Sequence, residues 1–174
     1  MDQARLVFEG RRIRVETLRI RDRDGRERDY ERVVHPGAAV VLPLLDDGRV
    51  VLIRQWRYAI DQELLELPAG TVDPPEPPMD CALRELAEET GYRAGRLRPL
   101  VSFYSAPGFC TERLHAFVAE ELEAGETSPD PGEDIRCVPM EYADALAAIA
   151  DGRITDGKTI VTLLYYDRFG RGGV

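Results

Sequence analysis

From residue 38 to 45 the chain reads AAVVLPLL, apolar on both faces of any extended segment, and this predicts a central strand covered on both sides. Asp46-Asp47-Gly48 then supplies turn residues, and a second strand is predicted from Arg49 to Trp56. A short strand, Leu64 to Leu67, leads into Pro68-Ala69-Gly70. Upstream the pattern differs. Ile13, Val15 and Thr17 alternate with Arg12, Arg14 and Glu16, the period of a strand with one apolar face. The phase shifts near Leu18 and Ile20, which predicts a bulge there. Asp24-Gly25 is a hairpin signal, and a returning strand is predicted from Arg26 to Val34. Such a hairpin buries too little surface to stand alone and has to pack on something. His35-Pro36-Gly37 punctuates the change, dividing the chain into an N-terminal β-strand unit, 1–36, and a main domain, 37–174.

Beyond residue 77 the period becomes helical. Pro77-Pro78 suits a first turn and Gly91 a helix end, with Met79, Ala82, Leu83, Leu86 and Ala87 as the apolar face between them. Strands are predicted at about 97–105, 113–120 and 134–139, followed by a helix from Tyr142 to Ala150 that stops at Asp151-Gly152. A last helix, capped by Thr155, runs through IVTLLYYDRF. Mixed strands with helices before and after them indicate an α/β fold, a sandwich around a mixed sheet, with an N-terminal antiparallel hairpin added.

The polar side of the helix at 77–91 carries the chemistry. Glu85, Glu88 and Glu89 stand at i, i+3 and i+4, so three carboxylates project from one face and repel each other. A hard divalent cation with oxygen ligands removes that penalty. Composition narrows the partners. A net charge of −9 argues against non-specific nucleic-acid binding, yet leaves a phosphate-bearing substrate open, because a bound cation reverses the local field. No apolar run has the length of a membrane span, and MDQARLVFEGRR lacks the apolar core of a signal peptide. Cys81, Cys110 and Cys137 are odd in number and read as reduced packing residues, so a cytoplasmic location is expected.

The same helix lies inside a longer pattern. Gly70 is followed by five residues and Glu76, then by seven and Arg84-Glu85-Leu86, then by Glu88-Glu89, Thr90, Gly91 and an apolar Tyr92. This resembles the Nudix hydrolase box at each specified position. The resemblance implies a Nudix α/β/α sandwich and a metal-dependent pyrophosphatase. Mg2+, or Mn2+ or another divalent cation, would be held by Glu85, Glu88, Glu89 and the backbone carbonyl of Ala69. Glu76 and Arg84 would pair to pin the loop on the helix, and Gly70 and Gly91 would serve backbone geometry. The base that activates water would be a box glutamate or a glutamate on a distant loop. SPDPGEDIRCVPM offers Glu133 for that role, with Asp130 and Asp134 as competitors.

Four further segments resemble the ADP-ribose pyrophosphatase branch of that family. They are Arg54-Gln55-Trp56-Arg57-Tyr58, LELPAG before the box, Ser105-Ala106-Pro107-Gly108 with Pro107 fifteen residues beyond Tyr92, and Thr111-Glu112-Arg113. The implied reaction is hydrolysis of ADP-ribose to AMP and ribose 5-phosphate. The alternatives are another nucleoside diphosphate sugar or FAD as substrate, or a non-catalytic ADP-ribose sensor. Arg57 becomes a phosphate or ribose contact, Tyr30 or Phe8 an adenine stacker, and Pro107, Gly108 and Glu112 further substrate contacts. In that branch the N-terminal strands cross to a partner subunit, so a homodimer with exchanged strands is expected.

Overall fold

The structure, a computed structural model, describes residues 4–128 and 134–171. In chain order its strands are β1 (Arg5–Glu9), β2 (Arg14–Arg21), β3 (Glu27–Val34), β4 (Ala38–Pro43), β5 (Val50–Arg57), β6 (Gln62–Glu66), β7 (Ala69–Thr71), β8 (Tyr92–Tyr104), β9 (Arg113–Ala124) and β10 (Ile135–Met140). The helices are α1 (Pro78–Thr90), α2 (Tyr142–Ala150) and α3 (Gly157–Tyr165), the last widening into a π-helical turn at Tyr166–Gly170.

β4 is buried along its whole length. It sits inside a mixed sheet of order β7-β4-β9-β8, parallel to β9 and antiparallel to β7. Successive residues of a strand face opposite ways, and both faces of β4 are covered. Ala39 and Val41 meet Cys81, Ala82 and Leu86 of α1. Val40 and Leu42 share the other core cluster with Leu52 of β5, Leu67 just after β6, Val118 of the neighbouring β9 and Leu163 of α3. The α/β sandwich around a mixed sheet is therefore as the sequence predicts. After the turn at Gly48 (φ 88°) the chain leaves this sheet, and β5 becomes the middle of a second one, β10-β5-β6.

The N-terminal unit has one more strand than the sequence indicates. β1, β2 and β3 form an antiparallel sheet in that order, and RLVFE of β1 gives no alternation to find it by. The turn at Asp22–Arg26 holds Gly25 at φ 80°, and the Asp22 carboxylate accepts the backbone N–H groups of Asp24 and Arg26. The predicted bulge near Leu18 and Ile20 is absent, since β2 pairs with β3 without a break from Arg14 to Arg21. The irregularity lies instead in β1, between Leu6 and Phe8. The shift of apolar phase did not report a bulge because this sheet has little covered face, and Ile20 is itself exposed. The sheet is tied to the main domain through the loop after β8, where Val33 N–H donates to the Phe109 carbonyl (2.7 Å) and Thr111 N–H to the Val33 carbonyl (3.0 Å).

Two helix details also differ from the sequence reading. Cys81, Ala82 and Leu86 form the buried side of α1, whereas Met79 and Leu83 are about two-fifths exposed, so the docked face is rotated toward the box side. α3 is capped by Asp156 rather than Thr155, its carboxylate accepting Thr159 N–H (3.0 Å) and the Thr159 hydroxyl (2.6 Å). The far end of α1 is as predicted: Gly91 at φ 73° closes it by donating to the Ala87 carbonyl (2.9 Å).

Candidate functional site

Docking α1 by Cys81, Ala82 and Leu86 turns Glu85, Glu88 and Glu89 into a cavity of about 390 Å³, whose floor includes Ala69 and Gly70 of β7. Glu89 is only 4% exposed, and a carboxylate so placed needs a donor. Ala69 N–H supplies one to its Oε2 at 2.9 Å. Gly70 is needed for a reason other than backbone freedom. Its φ is not left-handed, but a Cβ there would stand 1.8 Å from Glu85 Oε1 and 1.9 Å from Glu85 Cδ. The absent side chain is the space that Glu85 occupies.

Arg84 holds this acidic wall together. Its Nε and Nη2 form a fork on Glu76, each at 3.0 Å, which ties the loop before α1 to the helix. Nη1 reaches Glu85 Oε1 at 2.6 Å and Glu88 Oε2 at 3.1 Å. One guanidinium thus offsets part of the repulsion among the box carboxylates, so the cluster is less uncompensated than its spacing alone suggests. The Arg84 hydrogen bond, outweighing slight burial, holds the Glu76 carboxyl below the usual carboxylate range. Among the described residues, no three carboxylate, imidazole or thiol groups lie ready-placed around one point. The donor set still fits a hard cation, being three carboxylates and a backbone carbonyl at one cavity, with a floor glycine that leaves Glu85 room.

The opposite wall was largely missed by sequence reasoning. Arg57, at the end of β5, is fork-bonded to Glu66 of β6, Nε to Oε1 at 2.7 Å and Nη2 to Oε2 at 2.5 Å. Lys158, in the first turn of α3, also bonds to Glu66 Oε2 and pairs with Asp156 at 3.0 Å. Burial alone would raise the Glu66 carboxyl and weaken the Arg57 charge. Their mutual bond, with the Lys158 charge acting on Glu66, outweighs it: the carboxyl is held down and the guanidinium up. Two signals stood in the sequence, a lone charge at an inward place in LLELPAG and the chain's single lysine. Arg11 and Arg12, from the turn between β1 and β2, also line the cavity, as does Gln55. Gln55 Oε1 is buried without a hydrogen-bond partner among the described residues.

Glu112 lines this cavity and an adjoining one of about 500 Å³, and it lies 3.6 Å from His35 Nδ1. The second cavity is bounded by Ile60, Leu64, Phe103, Tyr104 and Val161, and shares Arg57 and Lys158 with the first. Tyr30, Phe8, Pro107 and Gly108 line neither. The Tyr30 hydroxyl donates instead to the Gly108 carbonyl of the same chain, fastening the N-terminal sheet to the loop after β8. Glu133 and Asp130 lie outside the described residues, and Asp134 is an exposed residue just before β10.

Comparison with known proteins agrees with this geometry. The NUDIX domain pattern matches residues 34–160. An ADP-ribose pyrophosphatase of Bacillus subtilis (strain 168) is 35% identical over 161 residues, covering 91% of this chain and 87% of the relative. A GDP-mannose pyrophosphatase of Klebsiella pneumoniae subsp. pneumoniae is 38% identical over 143 residues, covering 77% of this chain and 72% of the relative. Among solved structures, an ADP compounds hydrolase superposes with a TM-score of 0.86 at 26% identity, over 99% of this chain and 95% of the other.

Proposed function

The chain belongs to the Nudix family, and from that premise we propose that it hydrolyses the diphosphate bond of ADP-ribose to AMP and ribose 5-phosphate, with Mg2+ as the cation. The observation that carries this reading is one cavity with two unlike walls, the box carboxylates of α1 on one side and Arg57 with Lys158 on the other. When bound there, Mg2+ would neutralise diphosphate charge and make water easier to deprotonate. Glu85, Glu88, Glu89 and the Ala69 carbonyl are the groups that would hold it. The protein's own part is to orient the diphosphate from the cationic wall, and to take the proton of the attacking water at a box glutamate or at Glu133. Glu76 and Arg84 act by holding the loop and helix in one piece.

The relatives support a nucleoside diphosphate sugar and leave two sugars in competition, since one acts on ADP-ribose and another on GDP-mannose by name. A panel decides between them. With Mg2+ present, kcat/KM is expected to be highest for ADP-ribose among ADP-ribose, ADP-glucose, GDP-mannose and FAD. Efficient cleavage of GDP-mannose with none of ADP-ribose would overturn the substrate. Binding of ADP-ribose without cleavage of any member would point to a sensor, a reading that the full set of box carboxylates disfavours.

The exposed Leu6, Val7 and Phe8 of β1 support a homodimer in which the N-terminal sheet meets a second copy. Sedimentation at micromolar concentration is expected to give twice the 19.6 kDa chain mass, and a monomeric mass would refute it. Among the described residues no helix is long and apolar enough to cross a membrane. We place the enzyme in the cytoplasm from its cysteine usage and its nucleotide-sugar chemistry.

A further inference from the structure

We propose that Glu66 is a positioning residue for substrate binding, a buried anion that holds Arg57 and Lys158 side by side as one diphosphate-orienting pair. This rests on the reading that the cavity takes a nucleoside diphosphate sugar. Glu66 is fully buried at the end of β6, where burying a charge is costly and an apolar side chain would stabilise the strand as well or better. Its surroundings account for the charge. The two cations that it binds come from different elements, the end of β5 and the first turn of α3, and both line the seam where the two cavities meet.

Two cations brought so close repel each other unless an anion lies between them, and Glu66 is that anion. It uses both carboxylate oxygens on Arg57 and shares one of them with Lys158. Asp156 takes a second side of Lys158 while capping α3, so the ammonium is fixed from two directions. The four charges of Arg57, Glu66, Lys158 and Asp156 sum to zero. The group therefore attracts anions little at long range and acts by presenting donors in fixed places. The fork on Glu66 occupies Nε and Nη2 of Arg57 and leaves Nη1 outside it. Because the opposite wall is acidic and needs a cation to meet phosphate, this wall is the one that can hold a diphosphate by itself.

The experiment separates binding from chemistry. In Glu66→Gln, KM for the best panel substrate is expected to rise by about tenfold or more while kcat stays within about threefold, because the residue orients substrate and touches no reacting atom. Calorimetry in EDTA, with inorganic pyrophosphate and ADP-ribose as probes, should show the same loss of affinity without turnover. Arg57→Gln and Glu66→Gln should each weaken binding, and the double variant should be no weaker than the worse single one. A folded Glu66→Gln with unchanged KM and unchanged pyrophosphate affinity would overturn the proposal, as would effects that simply multiply. If Glu66→Gln does not fold, the cycle of Arg57→Gln and Lys158→Gln decides instead, non-additive losses supporting a shared holder and independent losses refuting it. If the wild-type protein cleaves no panel member, the substrate reading fails, while pyrophosphate binding still tests the cationic pair. Absence of pyrophosphate binding by the wild-type protein in EDTA would refute the pair itself.

Discussion

Glu85→Gln and Glu89→Gln are each expected to lower kcat by at least about a hundredfold while leaving the chain folded, because each removes one negative charge from the oxygen set that would hold the cation. The change is nearly isosteric, and the structure shows why folding should survive it. In Glu89→Gln the side-chain amide oxygen can still accept the Ala69 N–H that Glu89 accepts at 2.9 Å. At position 85 the Arg84 guanidinium keeps its fork on Glu76, so the loop stays tied to α1. Steady-state kinetics with ADP-ribose over a Mg2+ titration, beside thermal melts, checks both points. Near wild-type turnover in both variants at saturating Mg2+ would remove these two residues from the ligand set. A large loss in kcat together with a collapsed melting transition would mean that the carboxylates serve the fold.

Legibility in the sequence followed how local each cause was. The central strand and α1 were readable because every residue of AAVVLP is buried and because Pro78 and Gly91 punctuate the helix at its ends. The acidic wall was readable for the same reason, since i, i+3 and i+4 on one helix is a local fact. Of the cationic wall only Arg57 was named, because Arg57, Glu66 and Lys158 meet only through the pairing of β5 with β6 and the return of α3, ninety-two residues after Glu66. Tyr30, expected as an adenine stacker, lines neither cavity, and its hydroxyl donates to the Gly108 carbonyl, a contact across 78 residues that no local pattern reveals. Gly70 was misread in a different way. A glycine in a motif invites a backbone explanation, and only the position of the Glu85 carboxylate, fifteen residues on, reveals the spatial one.

That spatial reading makes Gly70→Ala a sharp test. Gly70 lies in β7, and its φ is not in the left-handed region, so alanine meets no backbone strain there. The new Cβ would overlap Glu85 Oε1 at 1.8 Å and Cδ at 1.9 Å, atoms at the far end of a flexible side chain. Glu85 can therefore yield by rotating, at a cost of about 0.5–1.5 kcal/mol for a displaced rotamer. Loss of chain entropy in the unfolded state returns about 0.4–1 kcal/mol in favour of alanine. The two nearly cancel, and the melting temperature is expected to move by no more than about 4 °C for a chain of this size. Activity should not be spared. Displacing one carboxylate from the oxygen set is expected to lower kcat by about ten- to a hundredfold and to raise the Mg2+ concentration needed for half-maximal rate. If Gly70→Ala were fully active, Glu85 could not be needed where it stands, and the assignment of that carboxylate to the cation would fall. If it unfolded, the strand rather than the carboxylate would be what requires glycine, and the backbone explanation would return.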